Sequence, residues 1–240
     1  MSVLATERSD GVCLLTLQRP EKMNALSAEL VDRLLQEVLL SQADGTRLLV
    51  LRGEGRNFSA GFDFSDFENE SEASLLLRFV RIEELLQAVH HAPFDTLALA
   101  HGPTMGAGAD LVCACARRIA APGAKFRMPG LKFGLVLGTR RLAARVGGDA
   151  ARDVLGATRT FDAPKALASG FITGLAPQDE WCGLIEVAAK EAAALEPRTS
   201  ATLFSRVTPD TRDADMADLV RSAAFPGIKT RLKAYFETLR

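Results

Sequence analysis

Two periods of apolar residues run through the chain. Val12–Leu17 is a largely apolar run closed by Arg19-Pro20, and it predicts the first strand. Ser27 is placed to cap a helix over residues 28–40, where Leu30, Val31, Leu34, Leu35, Val38 and Leu39 recur at helical spacing. After the Asp44-Gly45 turn, residues 48–51 are wholly apolar, as in a strand of a sheet covered on both faces. A second amphipathic helix passes through Leu75, Phe79, Ile82, Leu86 and Val89 and stops before Pro93. Residues 96–100 form the third strand, and the small-residue run 102–108 then opens a helix containing Leu111 and Val112. Strand-like pieces follow at 118–121 and 124–128. Asp162 caps a short helix ending at Gly170, where a left-handed glycine fits, and residues 171–175 are again strand-like.

From about residue 179 strand signals cease, and Ala, Glu, Lys and Leu dominate. The pattern predicts an α/β core over residues 1–180, with strands mainly parallel, and a helical region over 181–240. Its hydrophobic content of 48% and charged content of 25% are those of a globular protein, which rules out disorder as the main character. The net charge of -1 argues against nucleic acid as a partner, since such binders carry a basic excess. No apolar run approaches membrane-spanning length and no signal peptide is visible, so the expected location is the cytoplasm, with no membrane partner. The four cysteines, Cys13, Cys113, Cys115 and Cys182, form no metal-ligand pattern with the three histidines. No metal site is expected, and Cys113 and Cys115 read as small buried hydrophobes.

Two glycine-containing turns each follow a predicted strand: Ser59-Ala60-Gly61-Phe62-Asp63, and Met105-Gly106-Ala107-Gly108-Ala109-Asp110, which runs straight into a helix. Spacing alone leaves two readings. They are plain tight turns, or their backbone N–H groups, one of them at a helix N-terminus, converge on one point and make an oxyanion hole. A phosphate cradle is disfavoured, because neither Gly-Lys-Ser/Thr nor GxGxxG is present.

The segments RPEKMNALS (19–27), NFSAGFDF (57–64) and HGPTMGAGADL (101–111) occur in an order and spacing that resemble the crotonase superfamily of enoyl-CoA hydratase/isomerase-like proteins. FRMPGLKFGL (126–135), RRLAARVG (140–147) and FDAPKALASGFITGLA (161–176) extend the likeness over nearly the whole chain, weakest after about 185. The resemblance implies a crotonase-like spiral of ββα units with a C-terminal helical region, assembled as a homotrimer or as a hexamer (a dimer of trimers). It implies an acyl-CoA thioester substrate, with coenzyme A entering as part of the substrate and no separate cofactor. By motif match the oxyanion-hole donors are the N–H groups of Phe62 and Ala107. Ala60, Gly61, Asp63 and Gly106 fall at the CoA- and substrate-binding turns, and Lys22 or Arg19 at the phosphates.

Two departures from the family pattern bear on the reaction. Hydratases of the family hold one water between two glutamates. The first position is Asp110 here, and the second is Gly130, which has no side chain. The stretch 134–139 is also shorter than the usual glycine-rich loop, so the acyl pocket is expected to be reshaped, and that stretch carries no carboxylate of its own near Gly138 for the aspartate nucleophile some relatives use. An aspartate near the start of an apolar helix is either a poorly solvated acid or base with a raised pKa, or a cap for that helix. Asp63 reads as a brace for its loop, Asp66, Glu68 and Glu70 as an acidic surface, and His101 as a packed, hydrogen-bonded histidine. His90 and His91 sit at a helix end, where positive charge is favoured. Arg140 and Arg141 read as solvated or as a subunit contact. The expected function is therefore an isomerase- or lyase-like acyl-CoA enzyme and not an efficient hydratase. The alternatives are an acyl-CoA binding protein with little catalysis, or a thioester hydrolase or decarboxylase.

Overall fold

The computed structural model describes residues 2–238; Met1, Leu239 and Arg240, at the outer ends of the two expected regions, lie outside the described residues. The elements are β1 (Leu4–Ser9), β2 (Val12–Leu17), α1 (Ala28–Ser41), β3 (Leu48–Gly53), α2 (Glu72–His90), β4 (Asp95–Ala100), β5 (Pro103–Met105), α3 (Ala107–Ala114), β6 (Arg117–Ala120), β7 (Lys125–Arg127), α4 (Thr139–Val146), α5 (Gly148–Ala157), β8 (Phe161–Asp162), α6 (Ala163–Ala168), β9 (Gly174–Leu175), α7 (Trp181–Ala193), α8 (Pro197–Val207), α9 (Arg212–Ala223) and α10 (Ile228–Glu237).

A six-stranded sheet has the order β1-β2-β3-β4-β6-β9, and a three-stranded sheet the order β5-β7-β8. In the larger sheet only the β1–β2 pair is antiparallel. The chain winds as a spiral: a strand in the large sheet, a short strand in the small one, then a helix. β4, β5 and α3 make one such turn. A parallel bridge between Ser59 and Thr104 extends the small sheet to the loop after β3. This is the crotonase-like α/β spiral the motifs implied.

The alternation of β3 explains its wholly apolar sequence. Leu49 and Leu51 face the main core with α1 and α2, whereas Leu48 and Val50 face a second cluster closed by Trp181 and Ala188 of α7. Each buried leucine contributes about 1.5–3 kcal/mol of hydrophobic stabilisation. Ser27 caps α1 by accepting from Leu30 N, and Asp162 caps α6 by accepting from Lys165 N, both as the sequence predicts. Gly170 has φ +78°.

Two expectations are corrected. β1 had no signal: only Leu4 of the six residues is buried, because β1 is an edge strand against solvent. The strand expected over 171–175 shrinks to two residues. Arg118 draws the local carbonyls away from a ladder, donating through Nε to Phe171 O (2.7 Å) and through Nη2 to Gly170 O (3.3 Å). Residues of α9 and α10, among them Leu219 and Leu232, join the main core, so these two C-terminal helices are packed into the spiral. Among the described residues no helix is long and apolar enough to cross a membrane.

Candidate active site

The segment 19–27 exists to hold the loop after β3. Met23 and Asn24 both take φ +51°, which turns the chain back on itself. Asn24 Nδ2 then donates to the carbonyls of Glu54 (2.8 Å) and Asn57 (2.9 Å), and Asn57 Nδ2 donates to Met23 O. Ser59 Oγ donates to Asn24 O at 2.8 Å and accepts from Gly61 N. Leu26 N donates to Gly61 O (2.7 Å), and Asp63 N donates to Leu26 O (3.4 Å). These two bonds flank residue 62 and leave its N–H on the opposite side of the strand.

The second turn lies directly against the first. Met105 N donates to Ser59 O, and Gly106 N donates to Arg127 O. Gly61, at φ +83°, approaches so closely that a Cβ there would collide with the Met105 carbonyl and stand 3.1 Å from Ala107 N. A Cβ on Gly108 would stand 2.7 Å from Ser59 Cβ. Both glycines are therefore required by close approach. Ala107 is the first residue of α3, where backbone N–H groups have no partner within the helix. Among the described residues no hydrogen bond takes the N–H of Phe62 or Ala107. Ala107 needs no positive φ, so its Cβ carries no backbone strain.

Both turns line one cavity of about 660 Å³. Its remaining wall is mainly apolar: Phe64, Phe67, Phe79, Phe133, Leu135 and Leu137, with Tyr235 and Phe236 contributed by α10. Lys22, Ala60, Asp63, Gly106, Asp110 and Gly130 also line it.

Asp110 is one turn into α3 and 5% exposed. It does not cap α3: the N-cap is Gly106, and no side chain accepts there. Its Oδ1 is buried without a hydrogen-bond partner. The carboxyl presses on Gly138, where a Cβ would collide with Oδ1 and stand 3.0 Å from Cγ, so Gly138 is a packing requirement at φ +64°. Burial pushes the Asp110 pKa up to about 8; the Arg141 guanidinium pulls it down and Glu83 pushes it up.

The pair behind Asp110 corrects the surface reading of Arg141. This arginine is 2% exposed and Glu83 1% exposed. They form a two-pronged ion pair, with Arg141 Nη1 donating to Glu83 Oε1 at 2.9 Å and Nη2 to Oε2. Asp215 of α9 completes the group at 3.4 Å from Arg141 Nη1 and also takes Arg140 at 2.9 Å. Arg19 is likewise committed: its ion pair with Asp63 (2.8 Å) and its bond to Ala25 O make it a brace, not a free cation for phosphates. At Asp63 burial opposes ionisation, but bonds from Ser65 and Arg19 hold its pKa below the usual range. Lys22 is exposed at the cavity edge.

Asp66 and Glu68 stand at the cavity edge, while Glu70 is paired with Arg78. His101 Nε2 lies 3.0 Å from Gly55 O, with its ring against Trp181, as a packed histidine should. The expectation of positive charge at His90 is corrected: burial, with Arg145 close by, pushes its pKa down to about 4. Burial raises Cys113 to about 11 and Cys115 to about 12, so both thiols are inert. Glu83, Arg78, Tyr235 and Phe236 were missed. The only available signal was the pair of charges, Arg78 and Glu83, beside the apolar stripe of α2.

The Enoyl-CoA hydratase/isomerase family model matches residues 7–223. A solved Bordetella parapertussis structure, provisionally described as an enoyl-CoA hydratase/isomerase, is 54% identical over 98% of both chains, with TM-score 0.97. A Mycobacterium leprae protein provisionally named enoyl-CoA hydratase echA6 is 34% identical, covering 75% of this chain and 74% of its own length. A Bacillus subtilis protein with the same provisional enzyme name is 32% identical, over 85% and 80%. A Bacillus halodurans enoyl-CoA hydratase, 23% identical at TM-score 0.86, shares the fold. The chain belongs to the enoyl-CoA hydratase/isomerase family of the crotonase superfamily.

Proposed function

We propose that the cavity binds an acyl-CoA thioester and that the protein is an isomerase- or lyase-like enzyme acting through an enolate, best described as one that migrates an enoyl double bond. The N–H groups of Phe62 and Ala107 polarise the thioester carbonyl and hold the enolate oxygen. Ala60, Gly61, Asp63 and Gly106 form the CoA- and substrate-binding turns, with the backbone near Ala60 and Asp63 toward the adenine, and Lys22 faces the phosphates. Coenzyme A enters only as part of the substrate.

The observation that carries this reading is Asp110: a buried, unpartnered carboxyl on the cavity wall, one helical turn beyond Ala107, with its pKa at about 8. In its ionised form it removes a proton from Cα of a 3-enoyl thioester, and the C–H electron pair moves into the dienolate. The same carboxyl then returns the proton to Cγ, giving the 2-enoyl thioester. Nothing is oxidised and no water is consumed. Hydration needs a second carboxyl to hold and split water, and Gly130 supplies none.

The test compares 3-enoyl-CoA isomerisation and 2-enoyl-CoA hydration in the wild type and in Asp110→Asn. Loss of a positioned acid–base group costs about 10²–10⁴ in rate. Isomerisation should fall by that factor and hydration should be weak in both. Equal isomerisation by both proteins removes the role of Asp110. Acyl-CoA binding with no turnover of any enoyl-CoA identifies a binding protein instead.

We further propose that the protein works in the cytoplasm as a homotrimer or a hexamer. Only Ser200 of α8 is buried in the single chain, and Leu203 and Val207 are exposed together with Val187 of α7. An amphipathic helix with so little buried area supports a subunit contact there.

A further inference from the structure

Arg78 of α2 lies outside the cavity, behind the wall formed by Phe62, and makes three contacts there. Its guanidinium carbon is 4.1 Å from the centroid of the Phe62 ring. Its Nη2 donates to the Asp63 carbonyl at 2.9 Å. Its Nη1 is held by Glu70 at 2.5 Å, which fixes the plane of the fork. The Phe62 ring is also stacked on Phe79, with centroids 4.6 Å apart. One side chain thus holds both the ring of residue 62 and the carbonyl of residue 63, in a cleft that it shares with Leu26 and Ser27 at the end of the 19–27 brace. The peptide N–H of Phe62 belongs to the short segment, residues 61–63, that the brace and Arg78 fix jointly. Its direction matters most when negative charge develops on the thioester oxygen, and least when a neutral substrate merely rests in the cavity.

We propose that Arg78 is a positioning residue for the Phe62 N–H, and that its three contacts, taken together, align this donor with the enolate oxygen. The proposal rests on the reading of Phe62 and Ala107 as an oxyanion hole. A rigid planar fork suits the task, since it can stack on a ring and bond to a carbonyl and a carboxylate in one plane; a lysine ammonium cannot do all three.

The experiment uses acetoacetyl-CoA, a β-keto thioester whose enolate absorbs in the near ultraviolet where its keto form does not. Formation of the enolate breaks the α C–H bond, releases the proton to Asp110 or solvent, and places the electron pair on the carbonyl oxygens. Butyryl-CoA, which stays neutral, reports ordinary binding. The proteins are the full-length wild type, Arg78→Met, Arg78→Lys, and Arg81→Met as a control. Arg81 lies on the same helix and pairs with Asp32 and Glu84, and none of its bonds reaches residues 61–63. Circular dichroism and thermal midpoints establish that each variant is folded.

Misplacing a catalytic group by about 1 Å costs about a hundredfold. At saturating ligand the enolate fraction should fall about tenfold to a hundredfold in Arg78→Met. It should recover in part in Arg78→Lys and stay at the wild-type level in Arg81→Met. Butyryl-CoA affinity should stay within about threefold throughout, since that interaction is uniform between states. An unchanged enolate fraction in Arg78→Met overturns the role of Arg78 while leaving the oxyanion hole standing. So does a loss that tracks butyryl-CoA affinity or the thermal midpoint. A wild type that binds acetoacetyl-CoA but shows no enolate overturns the oxyanion-hole reading and this proposal with it.

Discussion

At the scale of single residues, the site contrasts two carboxylates in opposite environments. Asp63 is gripped by Arg19 and Ser65 and stays ionised, whereas Asp110 has a buried, unpartnered Oδ1 and a pKa raised to about 8. The sign of the resulting pH dependence follows directly. A base must be ionised, and in the free enzyme the ionised fraction of Asp110 grows as pH rises through about 8. The kcat/KM for 3-enoyl-CoA should therefore climb from pH 6 and level off above a midpoint near 8. A profile falling over that range would make Asp110 an acid in the first step. The position of Asp110 was legible in the sequence from its place after the second turn. That it does not cap α3 was not, because that depends on Gly106 being the N-cap and on Gly138 closing over the carboxyl from a distant element. Arg141 was misread for the same reason. Its partners, Glu83 and Asp215, come from α2 and α9, and no local pattern announces a pairing across those separations.

At the scale of elements, the two turns work as one unit. Gly61 is the contact point, with φ +83° and the Met105 carbonyl where a Cβ would be. Gly61→Ala should cost about 1–3 kcal/mol in urea unfolding from backbone strain alone. It should also depress enolate formation more than butyryl-CoA binding, because the Phe62 N–H moves with the loop. A variant as stable and active as the wild type would mean that the turns do not need this close approach. Strands buried on both faces and helices with a clear stripe were legible because burial writes itself into spacing: β3 and α1 are the clearest cases. β1 escaped because five of its six residues face solvent or lie only partly buried. The contribution of α10 escaped for another reason. Tyr235 and Phe236 look like ordinary core residues, and only the tertiary path of α10 brings them to the cavity.

At the scale of the whole molecule, the spiral gathers parts from distant sequence into one wall: the 19–27 brace, two turns, the carboxyl of α3 and the aromatic side chains of α10. The little-buried α8 is the surface on which the proposed assembly rests. Sedimentation equilibrium should give a trimer or hexamer for the wild type, and Leu203→Glu with Val207→Glu should shift it toward smaller species. A monomeric wild type would remove the assembly claim. The net charge of -1 argues against a broad basic surface and is compatible with a few local cations such as Lys22 in the proposed CoA site. The proposed mechanism has one buried carboxyl carry one proton across a backbone-stabilised enolate. Its most direct measurement is an NMR time course on a 3-enoyl-CoA deuterated at Cα. The wild type should deliver part of that deuterium to Cγ of the 2-enoyl product, and Asp110→Asn should form almost no product. Product formed by Asp110→Asn at the wild-type rate would contradict a proton-carrying Asp110.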